Sequence, residues 1–160
     1  MKNTISVLVE NHFGVLAHVP GLFSARGFNI DSLAVGETEK PDCSRMTIVT
    51  IGDDRVVEQI VKQLRKLIDV IEVSDLSQED FVERDLSLIL VGAPARKRQE
   101  IFQLIEIFRA KIVDVGAQDM VIEISGPEAK IEAMLDLLQP YGIKEMVRTG
   151  RIAMIRGNKK

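Results

Sequence analysis

The turn formed by residues 11–14, Asn-His-Phe-Gly, carries the side chains best suited to bind a small ligand. It lies between a strand-like run and a segment with helical spacing, so the amides near Gly14, Val15 and Leu16 would be the unpaired N–H groups of a helix start. Such amides and the positive end of the helix dipole favour a carboxylate. Gly14 permits close approach, and the Asn11 amide both donates and accepts, which suits a zwitterionic amino acid. No group here is suited to attack or proton transfer, which predicts binding without a reaction.

Residues typical of catalysis or metal binding are sparse in this sequence. His12 and His18 are six positions apart, and one helical face cannot hold both as a metal pair. The sequence has no Cys-x-x-Cys, His-Glu-x-x-His, Walker-type or Gly-x-Ser-x-Gly motif. We therefore expect no catalytic residue and no metal site. His12 is interpreted as an exposed loop histidine without a role, and Cys43 as an incidental thiol.

The Asn-x-x-Gly pattern alone is more typical of a capped turn in which Gly14 solves a dihedral problem, and this alternative stays open on the residues. A second cluster, around Asn29, favours binding. Gly27 is explained as the C-cap of the preceding helix, whereas Asn29 falls in a strand-like run, which disfavours asparagine. Asn29 is therefore a second candidate for a ligand-binding residue.

Composition indicates an ordinary soluble globular protein. The chain has 160 residues, of which 46% are hydrophobic and 28% charged, with a net charge of −3. No basic stripe emerges that would favour nucleic acid. The single cysteine fits a reducing compartment, and no apolar run is long enough for a membrane span or a signal peptide. We expect a cytoplasmic protein that binds neither nucleic acid nor membrane.

Apolar periodicity predicts four helices and nine strands. The helices are predicted from Gly14 to Gly27 and over residues 54–68, 98–108 and 127–138. The strands are predicted over residues 4–10, 28–35, 46–51, 70–76, 86–91, 112–115, 121–125 and 143–147, with an extra run at 152–155. The order β-α-β-β-α-β therefore occurs twice, which predicts an α+β chain of two tandem ferredoxin-like units.

The predicted division is a first domain over 1–76, a polar linker over 77–83 and a second domain over 84–160. Each half would bury only about 60% of its unfolded surface and be marginal alone. A sheet with both helices on one face leaves its other face and its edges uncovered. We therefore expect the halves to pair, within the chain or between chains, in an oligomer.

Longer stretches of the sequence resemble the ACT domain of acetohydroxyacid synthase (acetolactate synthase) small regulatory subunits. The resemblance is carried by Val-Leu-Val-Glu-Asn-His-Phe-Gly-Val-Leu at 7–16 and Gly-Leu-Phe-Ser-Ala-Arg-Gly-Phe-Asn-Ile-Asp-Ser-Leu at 21–33. Further matches fall at 44–48, 58–60, 63–64, 106–115 and 148–150. The resemblance covers essentially the whole chain.

The resemblance implies a non-catalytic regulatory subunit in branched-chain amino acid biosynthesis. Such a subunit activates a catalytic large subunit and confers feedback inhibition by valine. Thiamine diphosphate, magnesium and FAD would belong to the large subunit, with no cofactor in this chain. Two ACT domains would pair side by side in a homodimer with the effector at their interface. The implied effector-binding residues are Asn11, Gly14, Val15 and Leu16 of one chain, with Asn29 and Ile30 of the other.

Pro20 departs from the family pattern because it falls inside the first predicted helix. An interior proline removes one hydrogen bond and costs about 3 kcal/mol, so we expect the helix to kink there or to start with an irregular turn. Two other functions stay open. One is a free-standing ACT regulator that senses another amino acid. The other is a small ferredoxin-like acyl phosphate hydrolase, which would need an arginine in the first loop, where this chain has Asn11 and His12.

Overall fold

The computed structural model describes residues 1–157, which form two α+β units. The first contains β1 (Lys2–Glu10), α1 (Val15–Arg26), β2 (Ile30–Glu37), β3 (Cys43–Ile51), α2 (Asp54–Arg65) and β4 (Val70–Asp75). Next come β5 (Phe81–Gly92), α3 (Arg98–Ile107), β6 (Lys111–Val115), β7 (Asp119–Gly126), α4 (Glu128–Leu138), β8 (Ile143–Arg148) and β9 (Ile152–Ile155). Short 3-10 segments cover Ala95–Lys97 and Gln139–Tyr141. The predicted double β-α-β-β-α-β order is confirmed.

Each unit is built on an antiparallel sheet whose central strand comes first in the chain. The strand orders are β2-β3-β1-β4 and β6-β7-β5-β8, and β9 pairs with β5. In the first sheet, alternate residues of β1 (Ile5, Val7 and Val9) are buried in the core. Thr4 and Ser6, which point to the opposite face, are buried as well. A central strand that is enclosed on both faces explains the nearly continuous apolar run in β1.

Two helices close the core of the first unit. Residues Val57, Ile60 and Leu64 of α2 recur at helical spacing and are buried, and the Asp53 carboxylate caps this helix by accepting a hydrogen bond from the Val56 N–H at 3.0 Å. From α1, Phe23 is fully buried. These contacts fix the axis of α1, and therefore the position of the turn that precedes it.

The helix α1 is continuous through Pro20. Proline has no N–H to donate to the carbonyl four residues earlier, which is that of Leu16. Burial of Val15, Val19 and Phe23 along one face holds the helix together despite that loss. The helix ends at Gly27, whose φ of 70° provides a left-handed cap.

The division of the chain differs from the one expected from sequence at two places. The predicted linker 77–83 is partly strand, because β5 already begins at Phe81. Among the described residues, the segment 151–157 groups with residues 1–82 in the first unit, while the second unit spans 83–150. The reason is contact: Arg151 Nη1 donates to Thr4 Oγ1 at 2.9 Å, and Arg156 Nε donates to Asp80 Oδ1 at 3.0 Å.

Across residues 1–157, the helices are all too short or too polar to traverse a lipid bilayer.

Replacing Pro20 by alanine should stabilise the first unit. Alanine is favoured over proline by about 3 kcal/mol in a helix interior. The alanine variant has a more flexible unfolded chain, which reduces the gain in stability by up to about 1 kcal/mol. We expect the free energy of unfolding to rise by about 2 kcal/mol in urea denaturation followed by circular dichroism. Pro127→Ala is the control, because Pro127 lies at the N-cap of α4 with a φ of −64° and interrupts no helical bond. Equal effects of the two substitutions would contradict this explanation.

Candidate functional site

The turn 11–14 joins the end of β1 to the start of α1. Gly14 is the N-cap of α1 with a φ of 89°, and no side chain caps the helix. A Cβ at this position would meet no atom within 4 Å, so the positive φ, and not crowding, is the local reason for glycine. The position where a Gly14 side chain would lie is open, while the Val15 N–H donates to the His12 carbonyl at 3.4 Å. Phe13 is fully exposed and Leu16 is 59% exposed, which places apolar surface beside that opening.

Asn11 is tied to the connection between β2 and β3. Its Nδ2 donates to the carbonyl of Pro41 at 3.2 Å and to Glu37 Oε1 at 3.4 Å. Its backbone N–H donates to the carbonyl of Asp42 at 2.7 Å. These bonds support the capped-turn interpretation of Asn11 and also hold its side chain beside the open end of α1.

The predicted effector-binding residues fall into two groups at opposite ends of the first sheet. In the register of β1 against β3, Lys2 lies opposite Ile51 and Glu10 opposite Cys43. Ile30 lies opposite Thr50, at the end where β1 begins. The first group is Asn11, Gly14, Val15 and Leu16, at the end where β1 stops; the second is Asn29 and Ile30. Within one chain the two groups do not meet, and their joint role stays a prediction.

A histidine–carboxylate cluster that sequence reasoning missed lies beside the turn. His12 Nε2 is 2.9 Å from Asp69 Oδ1 and 3.2 Å from Glu10 Oε2. His18 Nδ1 is 2.6 Å from Asp69 Oδ2. His12 is exposed, as predicted, and Asp69 lies between its ring and that of His18; whether His12 has a role stays a prediction. The spacing argument against pairing His12 with His18 assumed that both lie on one helical face. His12 precedes the helix, so the argument does not apply to it.

The surroundings of His12 favour positive charge at the ring. The carbonyl of Phe13 is 3.4 Å from His12 Nδ1 and is the main factor that raises the pKa of His12 above its ordinary value. Partial burial acts in the opposite direction, while the carboxylates of Asp69 and Glu10 add to the increase in pKa. The cluster is therefore an electronegative site beside the N-terminus of α1.

A groove of about 650 Å³ lies on the face of the first sheet opposite the helices. Its lining includes Arg45, Ser6, Glu37 and Glu72, together with Met154 of β9. Arg45 Nη1 donates to Ser6 Oγ at 2.9 Å, so this arginine is held against the sheet. The groove thus combines one held cation with carboxylates and apolar surface.

Comparison with known proteins agrees with this architecture. Residues 5–72 match the family described as the AHAS small subunit-like ACT domain. Residues 84–157 match the family described as the small subunit of acetolactate synthase. The fold and the open turn at the start of α1 thus define a protein with an ACT domain followed by a second ferredoxin-like unit.

Relatives that match this chain along most of their length identify the family more specifically. The probable acetolactate synthase small subunit of Archaeoglobus fulgidus is 61% identical over 160 residues, which is 100% of both chains. The acetolactate synthase small subunit of Aquifex aeolicus is 53% identical over 97% of this chain and 81% of its own length. The crystal structure of the small subunit from Thermotoga maritima superposes with a TM-score of 0.89 at 46% identity, covering 98% of each chain. The chain belongs to the family of acetolactate synthase small subunits.

Proposed function

We propose that this chain is the non-catalytic regulatory subunit that activates the catalytic large subunit of acetolactate synthase and mediates its feedback inhibition by valine. The observation that carries the proposal is the 61% identity to an acetolactate synthase small subunit over the full length of both chains. Thiamine diphosphate, magnesium and FAD are assigned to the large subunit, and the complex is assigned to the cytoplasm. A small-subunit role agrees with the open turn at α1, which offers groups for binding but none for attack.

The start of α1 is the proposed site for the carboxylate of valine. The amides near Gly14, Val15 and Leu16 are at the positive end of the helix dipole, and the space in front of Gly14 is open. The exposed side chain of Leu16 and the half-buried Ile30 would contact the branched side chain of the ligand. Asn29 supplies an amide oxygen that can accept hydrogen bonds from the ligand ammonium group.

A homodimer would bring the two groups of residues together. Strand β2 is an edge of the first sheet and is therefore open to pairing with another copy. In an antiparallel pair of β2 strands about a twofold axis, Ile30 of one chain lies beside Glu37 of the other. Glu37 accepts from Asn11, so Asn11 of one chain approaches Asn29 of the other. The symmetry repeats the arrangement and creates two equivalent sites.

Inhibition in this scheme is a shift between two arrangements of the dimer. Valine bound across the interface would stabilise the arrangement in which the large subunit is less active. The shift cannot exceed the difference between the affinities of valine for the two arrangements. Strong inhibition therefore requires side chains at the site whose contacts differ between the two arrangements. An interface between chains would provide such side chains.

Reconstitution with a separately purified catalytic subunit tests the proposal. Adding this chain should raise the rate of acetolactate formation, and valine should lower the rate only when the chain is present. Calorimetric titration with valine, leucine, isoleucine, serine and phenylalanine then identifies the effector. Absence of activation would overturn the assigned partner. Binding of serine or phenylalanine but not valine would instead favour a regulator that senses another amino acid.

Gly14→Asp should abolish valine inhibition and leave activation intact. The new carboxylate would lie at the anion site and repel the carboxylate of valine. Two like charges about 4 Å apart near a protein surface repel by about 4 kcal/mol, well above the ~1.4 kcal/mol that corresponds to a tenfold loss of affinity. The measurement is the rate of the reconstituted enzyme against valine concentration.

Gly142→Asp is the matched control for that substitution. Gly142 has a φ of 90°, against 89° for Gly14, and both positions are open within 4 Å. The two variants therefore share the added charge and a positive φ, but they differ in location and in ψ, which is −12° at Gly14 and 100° at Gly142. Unchanged inhibition in Gly14→Asp, or equal losses in both variants, would refute the placement of the site.

Mixing two defective variants tests whether the site is shared between chains. Asn11→Ala and Asn29→Ala should each weaken valine inhibition when alone. In a mixed dimer, one site takes native Asn11 from one chain and native Asn29 from the other, while its twin carries both substitutions. Dimers unfolded and refolded together should therefore regain part of the valine binding measured by calorimetry. If each site lay within one chain, no mixture would recover binding.

A further inference from the structure

Two carboxylates and two imidazoles converge where β1 ends, β4 begins and α1 makes its first turn. One ligand atom each from Glu10, His12 and Asp69 lies within 4.8 Å of the others. His12 Nε2 is 3.2 Å from the Glu10 oxygen and 2.9 Å from the Asp69 oxygen. Donors bound to zinc at 2.0–2.2 Å in a tetrahedron are separated by about 3.3–3.6 Å. The observed spacings are therefore near those of a metal site and need only small adjustments.

The electrostatics of the cluster call for a cation. Among the described residues 1–157, the ion pairs of Asp69 are those with His12 and His18. Asp69 is only 8% exposed, and a second carboxylate, that of Glu10, approaches the same ring. Neutral imidazoles would leave two negative charges close together, at an energetic cost. Either a proton on the rings or a bound metal ion can supply the missing charge.

The carboxylate of Asp69 is held in place before any ion binds. His18 Nδ1 contacts Asp69 Oδ2 at 2.6 Å, which leaves Oδ1 directed at His12 Nε2. The backbone carbonyl of Asp69 accepts from the Glu10 N–H at 2.9 Å, so two of the ligand-bearing residues are joined through their main chains. Outer contacts of this kind orient metal ligands and raise affinity.

We propose that Glu10, His12 and Asp69 bind a divalent transition-metal ion, with zinc as the preferred occupant, and that His18 is the positioning residue for Asp69. The side chains of His12 and Glu10 are 52% and 53% exposed, so ions enter from solvent and water completes the coordination. An imidazole with carboxylates suits zinc, cobalt or nickel, whereas magnesium and calcium prefer oxygen ligands throughout. The inference does not depend on the identity of the effector.

Binding would join two elements of the first unit through the ion. Glu10 and His12 flank Asn11, and Asp69 precedes β4, so an occupied site fixes the main chain on both sides of Asn11. The cation also lies beside the first turn of α1 and adds to the positive field there. A bound ion would thus stabilise the conformation in which the amides of α1 face an open space.

Calorimetry on the untagged full-length chain tests the proposal. The chain is treated with a chelator, dialysed and titrated with zinc chloride at neutral pH in a buffer that does not bind metal. We expect saturable binding of one zinc ion per chain and no comparable binding of magnesium. Cobalt should give the visible absorption of a four-coordinate complex. Absence of saturable zinc binding, which leaves the protonated ion-pair network as the explanation, would overturn the proposal.

Three substitutions locate the ion. His12→Gln should abolish zinc binding, and His18→Gln should weaken it by about 10–100-fold, the usual effect of losing an outer contact. Cys43→Ser is the control, because Cys43 is the only thiol of the chain and should be irrelevant to a site built from His12 and carboxylates. Circular dichroism verifies that each variant is folded. Loss of binding in Cys43→Ser, or native affinity in His12→Gln, would place the ion elsewhere.

Discussion

The hydrogen bond from the Glu10 N–H to the Asp69 carbonyl closes the end of the first sheet, and both proposed sites depend on it. It fixes the point at which β1 stops pairing and the chain turns toward α1. Gly14 takes a positive φ there, and α1 begins beside the end of the sheet. The same bond brings Asp69 next to His12. The proposed anion site and the proposed cation site thus lie within a few residues of one another, and charge at either one would act on the other.

The repeated β-α-β-β-α-β order could be predicted because apolar periodicity in both halves is strong and agrees with the helix C-cap predicted at Gly27. The start of β5 could not be predicted, because residues 81–85 carry mixed charges. Strand β5 pairs with β9, which is distant in sequence. The histidine–carboxylate cluster could not be predicted from the sequence either. A bulge places Val9 opposite Val70, where a regular ladder would give Ile71, and this one-residue shift sets Asp69 beside Glu10. Local sequence carries no signal of such a shift.

The predicted effector site shows a different limit of sequence reasoning. The residues around Asn11 and Asn29 could be picked out one by one, from helix-start chemistry and from an asparagine in a strand. Only the register of the sheet shows that they stand at opposite ends of it. A site formed from both therefore needs two chains. The edge strand β2, which begins at Ile30 and ends at Glu37, provides the direction in which a second chain would have to run.

The first unit is discontinuous along the chain, and this has a consequence for its biosynthesis. Residues 151–157 belong with residues 1–82, yet they are translated only after the whole of 83–150. Arg151 then reaches Thr4, on a face of the sheet where Ser6 and Thr47 are also buried. The first unit thus acquires its last contacts only after all residues of the second unit have been translated. Premature termination near residue 150 would leave the second unit complete and deprive the first unit of the contacts made by Arg151 and Arg156.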